Sequence, residues 1–183
     1  MKKITLKTFI QTSWDIPFAY SVKKIERRRI IYNYNKDFEN NFVKMKDVHE
    51  LPIQHDMYDH IQGAVLFKIG DSVIVDCENW DELIGYWTFL YIGLSESRFE
   101  KDYLHTYAET YGYLDFRVKN SEEVDIFYNK EYKATANKKE LMREVVLAAE
   151  EFFNFLWTVR PKLKKQYSVE LGMIKRDKEI YCQ

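Results

Sequence analysis

Cysteine, proline and glycine are all scarce in this chain, at two, three and six of its 183 residues. The two cysteines, Cys77 and Cys182, fit neither a disulfide framework nor a zinc-binding spacing, which is typical of a reducing compartment. Because so few prolines and glycines interrupt the chain, no low-complexity linker divides it. The length and the missing linker together predict one domain over residues 1–183.

Long apolar runs and an excess of basic charge are also missing. No stretch approaches the ~20 apolar residues of a membrane span, and Lys7, Thr8 and Gln11 interrupt the apolar region that a signal peptide would need. The 28 basic and 29 acidic residues give a net charge of −1, whereas proteins that bind duplex nucleic acid usually carry a basic excess. We therefore expect a cytoplasmic protein whose main partner is neither a membrane nor nucleic acid.

Aromatic residues, by contrast, are abundant. Fourteen Tyr, twelve Phe and four Trp make up 16% of the chain. Aromatic side chains fill cores, and Tyr and Trp are also favoured at protein interfaces. The surplus is compatible with a protein that works by binding another protein.

Two segments have the pattern of β-hairpins. Apolar runs at 64–69 and 72–77 flank Gly70-Asp71, a two-residue turn that begins with Gly. A polar turn at 120–122 joins 114–119 to 123–128, and the first of these strands alternates apolar with charged residues, which predicts one face in water.

Each predicted hairpin is followed by a predicted helix. Asn79 with Glu82, and Asn137 with Glu140, have the spacing of capping boxes at the two helix starts, and Pro161 ends the second helix. The chain thus contains two hairpin–helix units, near 64–95 and 114–160, with further strands predicted at 2–9, 18–24 and 27–34. The predicted fold class is α+β: an antiparallel β-sheet with two long amphipathic helices packed on one face.

One cluster could bind a metal. Three imidazoles and two carboxylates occur within twelve residues, those of His49, His55, Asp56, Asp59 and His60. A helix would not stack His55 on His60, because residues five apart do not share a face. Two interpretations of this loop remain. In the first, the metal alternative, His49, His55 and His60 with Asp56 serve a metal-assisted hydrolase or a small-ligand binder. In the second, the loop is polar and solvated. No Gly-rich phosphate loop, serine nucleophile elbow or zinc-protease motif occurs, so no enzyme class and no cofactor is predicted.

Three tyrosines recur every four residues, at Tyr103, Tyr107 and Tyr111. On a helix they would form one aromatic face, which Trp80 could extend. The two interpretations are core packing and an exposed aromatic patch for a partner. We predict these four residues, with Asp56 and Asp59 of the charged loop, as the partner-binding site.

The second half of the chain resembles small bacterial immunity proteins, the cytosolic antidotes of polymorphic or contact-dependent toxins. The resemblance lies in the strand LDFRV (114–118), in EVDIFY (123–128), in the helix end EFFNFLW (151–157), and in the earlier ENWDEL (78–83). It covers roughly residues 64–160 and implies direct, cofactor-free binding that neutralises a cognate toxin. It transfers no functional residue, because such proteins share a scaffold while each contact surface is specific. A homo-oligomeric scaffold or subunit, such as a homodimer, is a further alternative.

Overall fold

A computed structural model gives the fold of the chain and describes residues 2–11, 42–48, 60–76, 79, 81–108 and 112–183. These residues form an α+β fold in which all strand pairs are antiparallel, so the predicted fold class is confirmed. The described strands form two sheets instead of one, and a third helix follows the two that were predicted. The strands predicted at 18–24 and 27–34 lie outside the described residues.

The first sheet has the strand order β2-β1-β3-β4, and a short β5 also pairs with β3. Its strands are β1 (Ile4–Gln11), β2 (Phe42–Lys44), β3 (Gln62–Ile69), β4 (Ser72–Val75) and β5 (Asp81–Glu82). All but one residue of β3 are buried, which explains its nearly continuous apolar sequence. Gly70 has φ +58° in the turn between β3 and β4, so this predicted hairpin is confirmed.

The second sheet is a meander in the order β6-β7-β8-β9. Its strands are β6 (Tyr103–Thr106), β7 (Tyr113–Val118), β8 (Glu123–Tyr128) and β9 (Glu131–Asn137). The β7–β8 hairpin is confirmed, whereas β9 was not predicted. Asn129 and Lys130 connect β8 to β9 with φ of 50° and 71°. Positive φ at both central residues is typical of a type I′ turn, and the missing glycine weakens its signal in the sequence.

Three α-helices occur among the described residues: α1 (Leu83–Ser97), α2 (Lys138–Val159) and α3 (Ser168–Tyr181). Single 3-10 turns cover Met45–Asp47 and Pro161–Lys165. None of these helices is long and apolar enough to cross a membrane.

The two predicted helix starts have different outcomes. Asn137 caps α2 by accepting a hydrogen bond from the Glu140 N–H at 3.1 Å, which confirms the prediction. The predicted cap at Asn79 is wrong, because Glu82 caps α1 by accepting from the N–H groups of Ile84 and Gly85, at 3.0 and 2.6 Å. A carboxylate satisfies two backbone donors there, whereas Asn79 accepts a hydrogen bond from the Tyr128 hydroxyl.

The core lies where α1 and α2 meet the first sheet. Trp87 of α1 is fully buried, stacks near Phe152 of α2 with ring centroids 6.2 Å apart, and donates from Nε1 to the Thr8 hydroxyl of β1 at 3.2 Å. One side chain therefore joins two helices and a strand. A buried indole N–H needs such a partner, so Trp87 fixes the position as well as the burial of α1.

A buried carboxylate attaches α3 to α1. Asp177 accepts hydrogen bonds from the hydroxyls of Tyr91 and Ser95, at 2.9 and 2.5 Å, and from the Arg176 guanidinium at 2.8 Å. Burial and the Asp177 carboxylate raise the pKa of Tyr91, so this phenol remains protonated and donates. The charge is buried but fully paired, as a stable interior requires.

Gly93 in the middle of α1 makes room for a neighbouring ring. A Cβ at this position would overlap the ring of Tyr103 from β6. Gly172 in α3, in contrast, has no atom within 4 Å of the place where its Cβ would lie. The two glycines are therefore a matched pair for testing how β6 docks on α1.

We expect Gly93→Ala to lower the free energy of unfolding by about 1–3 kcal/mol, because the added methyl displaces Tyr103. Gly172→Ala should raise it by up to about 1 kcal/mol, because an open helical site gains helix propensity. Urea unfolding of both variants measures the difference. A Gly93→Ala protein as stable as Gly172→Ala would contradict the docking of Tyr103 on α1.

Candidate functional site

The second sheet has one face in the core and one face in water. Leu114, Phe116, Val124 and Ile126 alternate along β7 and β8 and are fully buried. The residues between them point the other way and are half-buried or exposed. The alternation predicted for β7 is confirmed, and the open face of this sheet is the candidate functional site.

A row of large side chains crosses the open face. Strand register places Leu104 opposite Asp115, Asp115 opposite Phe127, and Phe127 opposite Tyr132. Leu104 and Tyr132 are 52% and 53% exposed. The rings of Phe127 and Tyr132 meet edge to face, with centroids 5.6 Å apart. The row therefore presents apolar and aromatic surface from three of the four strands.

Arg117 is held flat on this row. Its guanidinium carbon lies 4.2 Å from the centroid of the Phe127 ring, and its Nη2 lies 2.7 Å from the Asp115 carboxylate. The ring and the carboxylate restrict a side chain that would otherwise move freely. An arginine ordered in this way loses less conformational entropy when it binds a partner.

The other charges of the open face are paired within the sheet. Lys119 lies 3.4 Å from the Glu123 carboxylate and 4.0 Å from that of Asp125. Asp125 also accepts a hydrogen bond from the Thr135 hydroxyl at 2.5 Å, and that hydroxyl lies 2.9 Å from the Tyr132 hydroxyl. With both signs interspersed, the surface has no positive excess for a phosphate backbone.

The residues of the open face were missed by the sequence analysis, although β8 carried a signal for them. Glu123, Asp125 and Phe127 lie on the same face of β8. A phenylalanine therefore occupies a position where a solvated strand usually has a polar residue. Tyr132 gave no such signal. Its place beside Phe127 depends on an irregularity in the pairing of β8 with β9, which a sequence pattern does not reveal.

The predicted aromatic site has a different geometry. Tyr103 lies in strand β6, so the helical arrangement of the tyrosines is wrong. Its hydroxyl donates to the Phe89 carbonyl at 2.6 Å, and burial, reinforced by Glu96, raises the pKa of Tyr103 to about 12. Tyr107 is buried, as in the core-packing interpretation. Trp80, Tyr111, Asp56 and Asp59 lie outside the described residues, and their contact with a partner stays a prediction.

The metal alternative also falls mostly outside the described residues. His49, His55 and Asp56 are not among them, and His60 is partly buried two residues before β3. Within the described ranges, no three His, Cys, Asp or Glu residues come together as metal ligands would. A metal site in the loop therefore stays a prediction.

His105 of β6 belongs to a buried aromatic cluster. Its ring is 1% exposed and meets the rings of Tyr86 and Tyr107 with centroids 4.8 and 5.5 Å away. Neither ring nitrogen has a hydrogen-bond partner. Burial lowers the pKa of His105 to about 4, so the imidazole is neutral near pH 7. Burial also raises the pKa values of both tyrosines.

We expect His105 to make the protein sensitive to acid. Between its ordinary pKa of about 6.5 and its folded pKa of about 4, the unfolded chain binds a proton that the folded chain does not. The stabilisation is complete above pH 6.5 and is lost as the pH falls towards 4. The loss should reach roughly 2–3 kcal/mol at pH 4.5, given about 1.4 kcal/mol for each pH unit.

Urea unfolding of the wild type and of His105→Phe at pH 7 and 4.5 tests this expectation. Because the carboxylates titrate in both proteins, the relevant quantity is the difference between their pH dependences. The variant should lose less stability than the wild type over this interval. An equal loss would show that His105 is not the titrating group.

Comparison with protein-family models, with curated protein sequences and with solved structures finds no match for this chain.

Proposed function

We propose that this protein is a non-catalytic binding protein whose partner docks on the open face of the second sheet. The observation that carries the proposal is the row of Leu104, Phe127 and Tyr132 with Arg117 stacked on Phe127. Aromatic residues and arginine are the residues that most often dominate the energy of protein interfaces. Exposed apolar side chains next to one another, surrounded by polar groups, are typical of an interaction site.

The partner that we propose is a cognate bacterial toxin, which the protein neutralises by direct binding in the cytoplasm. This part of the proposal rests on the resemblance to immunity proteins described above. Two of the segments that carry the resemblance, LDFRV and EVDIFY, belong to β7 and β8, the central strands of the open face. Inhibition of this kind needs shape and charge complementarity to one target and requires no cofactor.

A second copy of the chain is the alternative occupant of the open face. A symmetric dimer needs a self-complementary surface, and the face carries carboxylates and cations side by side. Mass in solution separates the two occupants, because a heterologous partner predicts a monomer when the protein is purified alone.

We expect the double variant Phe127→Ala, Tyr132→Ala to weaken binding of the partner by about tenfold or more, because it removes the aromatic centre of the row. Both side chains lie on the open face, so thermal stability should change little. The partner is first captured from the native host with the tagged wild-type protein and identified by mass spectrometry. Its affinity for each variant is then measured by calorimetry.

Phe89→Ala is the matched control for this experiment. Phe89 is 66% exposed and belongs to α1, not to the second sheet, so its removal deletes an exposed aromatic ring that is not part of the proposed site. Equal affinities of the double variant and the control would contradict the assignment of the open face as the binding site. Stoichiometric zinc, manganese or iron in a sample without protein partner would instead favour the loop of His49, His55 and His60.

A further inference from the structure

A groove of about 630 Å³ lies where the end of α1, the start of α2 and the end of α3 come together with the turn between β7 and β8. Three cations line it, and we call it the basic groove after them: Arg98, Lys138 and Lys139. Glu122 is the one carboxylate in its lining, and Ile180 and Tyr181 form an apolar wall. The groove is open to solvent and therefore accessible to a ligand.

Arg98 occupies a position where the backbone disfavours it. It follows the last residue of α1 with φ +46°, a left-handed conformation in which glycine is usual. The next residue, Phe99, is also left-handed, but its ring is buried in the core near Phe116. The side chain of Arg98 is exposed and has no ion pair among the described residues. Packing of the side chain in the core thus explains the left-handed conformation of Phe99, but it does not explain that of Arg98.

The two lysines are also unfavourably placed. Lys138 and Lys139 are the first two residues of α2, where the positive end of the helix dipole disfavours cations. Neither has an ion pair within the described part of the chain, which is also true of Lys162, Lys165 and Lys175. Three cations that cost stability and converge on one groove indicate a role in binding.

We propose that the basic groove binds an acidic segment of a protein partner. The three cations outnumber Glu122 and attract carboxylates, and the wall of Ile180 and Tyr181 accepts an apolar side chain of the same segment. Ile180 is 51% exposed, and a small inorganic anion would leave it in water. A peptide with alternating acidic and apolar residues covers both walls. This inference rests on the proposed protein-binding function and adds the chemistry of the partner.

The test uses a short fluorescein-labelled peptide of alternating Glu and Leu, with a Lys and Leu peptide as its counterpart. Fluorescence anisotropy at low salt measures binding to the full-length protein. In the triple variant Arg98→Gly, Lys138→Gln, Lys139→Gln, we expect affinity for the acidic peptide to fall by about tenfold or more, since each exposed charge contributes modestly. Its Tm should rise by roughly 2–4 °C, because a left-handed arginine and two unfavourable charges are removed.

A matched control removes three charges elsewhere, at Lys162, Lys165 and Lys175, which are exposed and do not line the groove. It should keep the affinity of the wild type. Equal losses in both variants would overturn the proposal, because binding would then follow net charge alone. Displacement of the peptide by inorganic pyrophosphate at equal concentration would overturn it in favour of a small-anion site, and a lower Tm of the triple variant would overturn it in favour of a structural role.

The double variant Phe127→Ala, Tyr132→Ala keeps the two proposals separate. Its affinity for the acidic peptide should equal that of the wild type, because the open face does not line the groove. The groove is therefore tested directly with the peptide, whatever the outcome for the open face. Tenfold weaker peptide binding by this variant would place the peptide on the open face and overturn the assignment to the groove.

Discussion

Helix α1 is apolar on almost every side, and the described fold is arranged so as to enclose it. No charged residue occurs between Leu83 and Ser95. A helix of this composition is stable in water only when other elements cover most of its surface, and the large apolar side chain of α1 that stays exposed is Phe89, at 66%. Strand β3, strand β6, α2 and α3 each pack on α1. Strands of both sheets and both of the other described helices thus contribute to the burial of α1.

The enclosure also determines which surfaces remain for a partner. The second sheet buries Leu114, Phe116, Val124 and Ile126 towards the core that surrounds α1, so the side chains of its opposite face stay half-buried or exposed. Two polar side chains of α1, those of Tyr91 and Ser95, are held internally by hydrogen bonds to Asp177. Apolar surface of Leu104, Phe127 and Tyr132 therefore remains on the outer side of the second sheet.

Sequence patterns correctly predicted a turn and a helix cap that depend on interactions between residues close in sequence. Gly70 at a two-residue turn and Asn137 at a helix cap act within a few residues, and both predictions are confirmed. Tyr103 shows the opposite case. A spacing of four suggested a helix, but its ring docks on the notch at Gly93, a tertiary contact that overrides the local pattern. The strain at Arg98 likewise depends on a backbone angle that the sequence does not reveal.

The turn of residues 120–122 joins β7 and β8 of the open face and also lines the basic groove, and hydrogen bonds fix its conformation. The side-chain oxygen of Asn120 accepts hydrogen bonds from the N–H groups of Glu122 and Glu123, both at 2.8 Å. The N–H of Lys138 donates to the Glu122 carbonyl and ties the start of α2 to the same turn. A partner that engages both surfaces would therefore meet them in one fixed geometry. Two contacts of modest strength then reinforce each other, because the second forms at the high effective concentration that the first provides.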